Sequence, residues 1–193
     1  MSAIDDVLGK LHPTFRVREF AAVQGKGIAY ARVALHRQKL AGRIVQAKQG
    51  WWAKQGVLPL EAASAISYPC YVSFLSALAL HGLTTQSSGV VQLAVCRRAR
   101  KYSAMGEGVQ EYKLPKEAFA GFVVDNGVPI AEAEKAFADC LRLPRACPAV
   151  VLCESLPKLD GEKIRRHCSK RMLARLAKVE KEAGADARLG GIG

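Results

Sequence analysis

The first third of the chain switches between helical and strand-like spacing of its apolar residues. Apolar positions three and four residues apart predict a helix over residues 3–11 and a second over 17–24, which ends at Gly25. A third helix is predicted over residues 27–41, ended by Gly42, with Ile28, Ala31 and Leu35 on its inner side. Residues 43–53 then change to a strand-like pattern around a turn, which indicates a hairpin.

Three short helices followed by a hairpin are typical of a winged helix-turn-helix domain, here expected over residues 1–58. In such a domain the third helix enters the major groove and the hairpin, or wing, lies near the phosphates. The outer face of the third helix and the wing therefore supply the candidate DNA contacts, which are Lys26, Tyr30, Arg32, Val33, Arg37, Arg43 and Lys48. Folds of this kind also serve protein contacts, and the pattern alone leaves that alternative open.

Residues 59–184 predict a second, mixed α/β domain, so the expected fold class is α+β. Helices are predicted over 59–66, 71–81 and 131–143, and strands over 90–95, 109–113 and 119–124. A basic helical segment begins after Asp160, a good N-cap, and runs to Gly184 with a break near Ser169. The glycine-rich tail, residues 185–193, is expected to be flexible.

Charge is distributed unevenly along the chain, whose formal net charge is +12. Lys and Arg outnumber Asp and Glu by ten to three in residues 1–58 and by nine to three in residues 158–181, whereas residues 59–157 carry nine of each. Two basic ends of this size suggest contact with phosphates at two places. The candidates for a second nucleic-acid surface are Lys163, Arg166, Lys170 and Arg175. The alternative is that these side chains solvate the outer face of a packed helix.

Catalytic chemistry is not favoured by any spacing in the chain. Cys70 and His81 lie eleven residues apart, or about 16 Å along a helix, too far for a thiolate–imidazole pair. The spacing of Lys135 and Asp139 indicates an ion pair on an exposed helix face rather than an acid–base site formed by Glu134 and Asp139. We expect a protein that is not an enzyme, with a nucleic-acid-processing enzyme as the weakest alternative.

The six cysteines contain no C-x-x-C pair, and their spacing matches no structural zinc pattern. We therefore expect reduced cysteines, no metal and no cofactor. The sequence has neither a membrane-spanning apolar run nor the start of a signal peptide, which predicts a cytoplasmic protein without a membrane partner.

Two motifs in the second half resemble those of the AbiEi family, the antitoxins of type IV toxin–antitoxin systems. The first is YVSFLSALALHGL, in which Tyr71, Ser73, Ser76, Ala77, Leu78, Gly82 and Leu83 match the family pattern. The second is PIAEAEKAFADCLRLP, in which Ile130, Ala131, Glu134, Lys135, Ala136, Asp139 and Leu141 match. A winged helix precedes both motifs in that family, and the resemblance covers the chain from about Phe15 to Ala183.

The resemblance implies a transcriptional repressor that binds double-stranded DNA in its own promoter, as a monomer or a dimer. It also implies an antitoxin that counteracts a cognate nucleotidyltransferase-like toxin, without requiring a stable complex with it. The alternative is a winged-helix regulator whose C-terminal domain binds a ligand or a partner and which has no toxin.

Overall fold

The computed structural model describes residues 3–86 and 88–189, without the side chains of residue 3 and of residues 185–189. The chain forms two compact units. The first comprises the chain up to Tyr68 together with Tyr102–Val109, and the second comprises Pro69–Lys101 and the chain from Gln110 onward. The first unit thus extends ten residues past position 58 and includes a segment distant in sequence. Both units contain helices and strands, as the α+β prediction requires.

The first unit contains the predicted helices and hairpin. Its helices are α1 (Ala3–Gly9), α2 (Val17–Gln24), α3 (Ile28–Leu40) and α4 (Pro59–Ser67), and its strands are β1 (Thr14–Arg16), β2 (Ile44–Lys48) and β3 (Trp51–Lys54). The strands form an antiparallel sheet of order β1-β3-β2. Strand β1 was not predicted, because three residues are too few to show a period. Helix α2 ends as expected at Gly25, whose φ of 62° lies in the left-handed region.

The core of the first unit lies between α3 and the sheet. Ala31 and Leu35 of α3 are fully buried, and they belong to a cluster that also contains Phe15, Phe20 and Trp52. Ile28 is 43% exposed, so its predicted place on the inner side is wrong. As the first residue of α3, it lies one turn before Ala31 and past the edge of the apolar cluster.

The second unit contains a mixed sheet and five helices in the described part of the chain. Its elements are β4 (Tyr71–Val72), α5 (Phe74–Leu80), β5 (Val90–Val95), β6 (Lys101–Ala104), β7 (Glu107–Lys113), β8 (Phe122–Asp125), β9 (Val128–Ala131), α6 (Ala133–Arg142), α7 (Ala149–Ser155), α8 (Gly161–Arg166) and α9 (Lys170–Leu189). The sheet order is β6-β7-β5-β4-β9-β8, with β4 parallel to β9. Residues 102–109, which comprise most of β6, the turn after it and the first three residues of β7, are nevertheless assigned to the first unit.

The helix predicted over residues 71–81 is in fact a strand followed by a helix. Tyr71 and Val72 form β4, Ser73 is extended, and α5 begins at Phe74 with a positive φ of 57°. A run that is apolar on all sides fits a buried strand as well as a buried helix, so its period could not separate the two. The strands β6 and β9 were also missed, and α6 starts two residues later than predicted.

The C-terminal helices follow the sequence prediction closely. The Asp160 Oδ1 atom accepts hydrogen bonds from the N–H groups of Glu162 and Lys163, which caps α8 and holds the pKa of Asp160 below its ordinary value. The break near Ser169 is confirmed, since α8 ends at Arg166 and α9 begins at Lys170. Helix α9 continues to Leu189, through residues expected to be flexible, and residues 190–193 of that tail lie outside the described residues.

Candidate nucleic-acid interface

The side of α3 that faces away from Ala31 and Leu35 is exposed and combines apolar with basic residues. Val33 is 53% exposed, and Tyr30 and Leu40 are exposed as well. The exposed basic side chains on or beside this helix are Lys26, Arg32, Arg37 and Lys39. The predicted contact residues of α3 are thus all accessible, and no apolar core covers them within the first unit.

The electrostatic field at this surface is one-sided. Between Phe20 and Leu60 the sequence contains no Asp or Glu and seven basic residues, which are Lys26, Arg32, Arg37, Lys39, Arg43, Lys48 and Lys54. The segment has no carboxylate of its own to offset them, so the cations of α3 and the hairpin add to one another, and Asp5 of α1 partly offsets Arg43 alone. Such a surface attracts a polyanion and repels a second copy of itself.

Two open clefts flank α3. One, of about 780 Å³, is lined by Tyr30, Val33 and Arg37 together with Ile4 and Arg43. The guanidinium of Arg43 is 3.6 Å from the Asp5 carboxylate and donates to the Gln38 side chain at 3.4 Å. Arg43 is therefore held at the edge of this cleft by weak, exposed contacts that a phosphate can replace.

The second cleft, of about 510 Å³, lies between α3 and the hairpin. Arg16, Arg18 and Arg32 line it, together with Gln46 and Gln49 of the hairpin. The guanidinium of Arg16 lies 4.4 Å from the centre of the Trp51 ring, a cation–π contact that orients it.

Arg16 and Arg18 were missed as candidate contacts by the sequence analysis. The sequence did contain a signal for them. Basic side chains at the N-terminus of a helix such as α2 are unfavourable with the helix dipole, so their presence there indicates a role other than stabilising the helix.

Lys48 of the hairpin is half-buried rather than extended into solvent. Its Nζ atom lies 4.1 Å from the centre of the Tyr102 ring, and the nearby N–H of Met105 donates to the carbonyl of Ala47 at 2.8 Å. Both contacts lie within the first unit, whose segment 102–109 packs on the hairpin. Lys48 would have to leave the ring of Tyr102 to reach a phosphate.

The proposed second basic surface is partly taken up by the fold. Lys163, Arg166 and Lys170 are exposed. Arg175 is half-buried, and its Nη1 atom donates to the carbonyls of Leu141 and Arg142 at 2.7 and 3.1 Å. Arg175 thus provides hydrogen bonds to carbonyl groups at the C-terminal end of α6, which have no partner within that helix. The spacing of apolar residues in α9 could not predict this contact. Arg175 therefore belongs to the packing of the second unit.

A buried polar cluster joins the two family-like motifs. Asp139 and Lys135 of α6 are 1% and 3% exposed and form an ion pair through Oδ1 and Nζ. The Asp139 Oδ2 atom accepts hydrogen bonds from the Tyr71 hydroxyl at 2.9 Å and from the Ser73 hydroxyl at 2.8 Å. Lys135 also donates to the Tyr71 hydroxyl at 2.8 Å. The ion pair was predicted correctly, but its predicted exposure is wrong.

Burial sets the protonation behaviour of this cluster. It raises the pKa of the Tyr71 hydroxyl, an effect that the Asp139 carboxylate reinforces, so Tyr71 stays neutral. Burial also lowers the pKa of Lys135, while Asp139 opposes that effect. The Ser73 hydroxyl has a carboxylate, that of Asp139, within hydrogen-bond reach. That carboxylate is occupied by two hydroxyls and an ammonium group and is closed off from solvent.

The other candidate chemical groups serve the fold. His81 is exposed and its Nε2 atom is 2.7 Å from the carbonyl oxygen of Ala131, while Cys70 is buried. Among the described residues no group of His, Cys, Asp and Glu side chains is arranged to hold a metal ion. Over the same residues, no helix is both long and apolar enough to span a bilayer.

Comparison of the sequence with models of known protein families gives no match, and comparison with curated proteins gives no significant match either.

Proposed function

We propose that this protein is a sequence-specific DNA-binding repressor that acts as the antitoxin of a type IV toxin–antitoxin pair in the cytoplasm. In this proposal the first unit is a winged helix, α3 is its recognition helix and the β2–β3 hairpin is its wing. The DNA is the promoter of the protein's own operon, which the protein binds as a monomer or a dimer.

One observation carries the DNA-binding part of the proposal. An exposed helix with basic and apolar side chains stands beside a basic hairpin, in a segment of about forty residues that lacks any carboxylate. A helix with a diameter of about 10–12 Å fits the major groove, and the flanking arginines supply the phosphate contacts that dominate affinity. Arg16 and Arg18 join Arg32, Arg37 and Arg43 in that role.

A mobility-shift titration with the DNA upstream of the gene, in the presence of random competitor DNA, tests this part. Replacing Arg37 or Tyr30 with Ala should weaken binding by about 1–3 kcal/mol and leave the fold intact. The matched control is Arg98→Ala, an exposed arginine of the second unit. Failure of the parent protein to shift that DNA at low salt would remove the repressor proposal.

The antitoxin part rests on the two family-like motifs. Hydrogen bonds among Tyr71, Ser73, Lys135 and Asp139 join side chains of the two motifs that are 64 to 68 residues apart in sequence. The two motifs therefore share one buried polar cluster. This favours a structural role for the motif residues, with the antitoxin activity carried by side chains on the surface of the domain. If a nucleotidyltransferase-like reading frame lies next to the gene, expression of that frame should be toxic and co-expression of this protein should restore growth.

A regulator with a ligand-binding second domain is the alternative that a specific feature favours. A pocket of about 270 Å³ in the second unit has an apolar wall formed by Leu141, Leu152 and Val179, with Lys178 and Glu182 at its rim. Its size suits a small apolar molecule rather than a nucleotide. Release of the promoter DNA by such a molecule, without any effect on a toxin, would favour this alternative.

A further inference from the structure

The most outward-facing side chains of α3 are the aliphatic Ala29, Val33 and Leu40, together with one polar side chain, His36. Successive helical residues are rotated by about 100°, which places Ala29 and Val33 opposite the buried Ala31 and Leu35. Both are exposed, and the basic side chains Arg32 and Arg37 stand on either side of them. The centre of the face that would meet base edges is therefore mainly aliphatic, with His36 as a polar side chain beside Ala29, and it has cationic flanks.

Aliphatic side chains cannot form hydrogen bonds with bases, but they can pack on the 5-methyl group of thymine in the major groove. We infer that Ala29 and Val33 of α3 recognise thymine methyl groups, and that these contacts set part of the sequence specificity of the DNA site. The inference rests on the proposed DNA-binding function and specifies the bases that this surface reads.

The positive charge of this face favours DNA over a second copy of the chain as its binding partner. The apolar centre is bordered by Arg32, Arg37 and Lys39, and the sequence offers no carboxylate between Phe20 and Leu60 to meet them. Two copies meeting at this face would bring like charges together, whereas duplex DNA presents phosphates on both sides of the groove.

Helix geometry also gives a spacing. Ala29 and Val33 are four residues apart, or about 6 Å along the axis of α3. Consecutive base pairs are about 3.4 Å apart, so the two side chains reach methyl groups on base pairs one or two steps apart. Each site should contain two such thymines.

Replacement of thymine by uracil tests the inference, because uracil lacks only the methyl group and keeps the base-pairing edge. The probe is a duplex selected with the full-length protein from a randomised 24-base-pair pool, with each thymine then changed singly to uracil. We expect about a four-fold loss of affinity at each of two positions one or two steps apart, as befits the loss of one buried methyl group, and little change elsewhere. Val33→Ala shortens one of the two aliphatic side chains, so it should reduce the loss at one of these positions and leave the loss at the other unchanged.

Val124→Ala is the matched control, because Val124 is an exposed valine on β8 in the second unit, and this variant should keep both uracil effects. If the protein selects a specific duplex but no uracil replacement weakens binding, thymine recognition is wrong and the repressor proposal stands. If no duplex is selected, the repressor proposal itself fails. If Val33→Ala instead converts a dimer to a monomer in light scattering without changing the uracil profile, this face joins two copies and the inference is overturned.

Discussion

Asp139 accepts three hydrogen bonds or ion-pair contacts in the core of the second unit, and each comes from a different side chain. Lys135 is one helical turn away, whereas Tyr71 and Ser73 lie on the other side of a long sequence separation. The i,i+4 spacing made the ion pair predictable from the sequence. Its burial was not predictable, because it depends on residues 66 and 68 positions away. A buried ion pair costs desolvation, and it is retained only where other groups satisfy its remaining atoms.

Removal of one partner of this pair should be strongly destabilising. We expect Asp139→Ala to lower the free energy of unfolding by about 3–5 kcal/mol, because it leaves the Lys135 ammonium buried without its counter-ion. The double replacement Lys135→Met with Asp139→Leu should cost less than Asp139→Ala alone, because it leaves neither charge of this pair buried without its partner. Urea denaturation followed by circular dichroism measures all three proteins.

An exposed pair with the same spacing provides the control. Asp6 and Lys10 are also four residues apart and 2.9 Å from Nζ to Oδ2, but their side chains are 60% and 63% exposed. Asp6→Ala should cost no more than about 0.5 kcal/mol, since solvent screens such a pair. Equal costs for Asp6→Ala and Asp139→Ala would contradict the role assigned to burial.

Among the elements, those set by local backbone chemistry were predictable and those set by distant contacts were not. Gly25 and Asp160 marked helix ends correctly because a left-handed turn and an N-cap are properties of a few neighbouring residues. Residues 71–81 were assigned to one helix because β4 depends on pairing with β5 and β9, and no feature of the run itself records those partners. The same holds for the involvement of residues 102–109 in the first unit.

The turn between α2 and α3 depends on the conformation of Gly25. Its φ is 62°, and a Cβ atom added there would meet no heavy atom within 4 Å. Gly25→Ala should therefore lower the free energy of unfolding through backbone strain alone, by about 1–2 kcal/mol. Thermal and urea denaturation of the full chain measure the change.

Gly9→Ala is the control at the element scale, because Gly9 is the last residue of α1, has no positive φ and has equally open surroundings. It should be neutral or stabilising by up to about 1 kcal/mol, since alanine favours the helix. A Gly25→Ala variant as stable as Gly9→Ala would show that the α2–α3 turn can relax into another conformation.

For the whole molecule, the two basic ends of the sequence differ in how the structure uses them. Most of the N-terminal cations lie on exposed surfaces around α3 and the hairpin. Arg16 and Lys48 are half-buried against aromatic rings, and the half-buried Lys54 donates to the carbonyl of Leu11. In the C-terminal helices Arg175 holds the end of α6, and Arg165 forms an ion pair with Glu180 at 2.6 Å. Lys163, Arg166 and Lys170 remain exposed as candidates for a second contact with nucleic acid.

Salt dependence can show whether these three side chains contact DNA. Each phosphate neutralised adds about 0.9 to the magnitude of the slope of log affinity against log salt concentration. If all three side chains contact phosphates, the triple variant Lys163→Gln, Arg166→Gln, Lys170→Gln should lower that magnitude by about 2.7. Arg175 is left unchanged because its loss would disturb the packing of α6. The full chain is needed, because a fragment ending at residue 58 or 68 lacks the segment 102–109 of the first unit.

The control for this measurement must change the net charge by the same amount at another surface. Lys101, Lys113 and Lys116 are exposed and belong to the second unit, so their replacement with Gln supplies it. We expect the control variant to keep the parent slope and the Lys163, Arg166 and Lys170 variant to have a flatter one, on the same DNA fragment and over the same salt range. Equal flattening in both variants would mean that only the overall charge matters. If both variants keep the slope of the parent protein, all the phosphate contacts lie on other surfaces of the protein. The basic face of α8 and α9 would then be exposed to solvent in the complex with DNA.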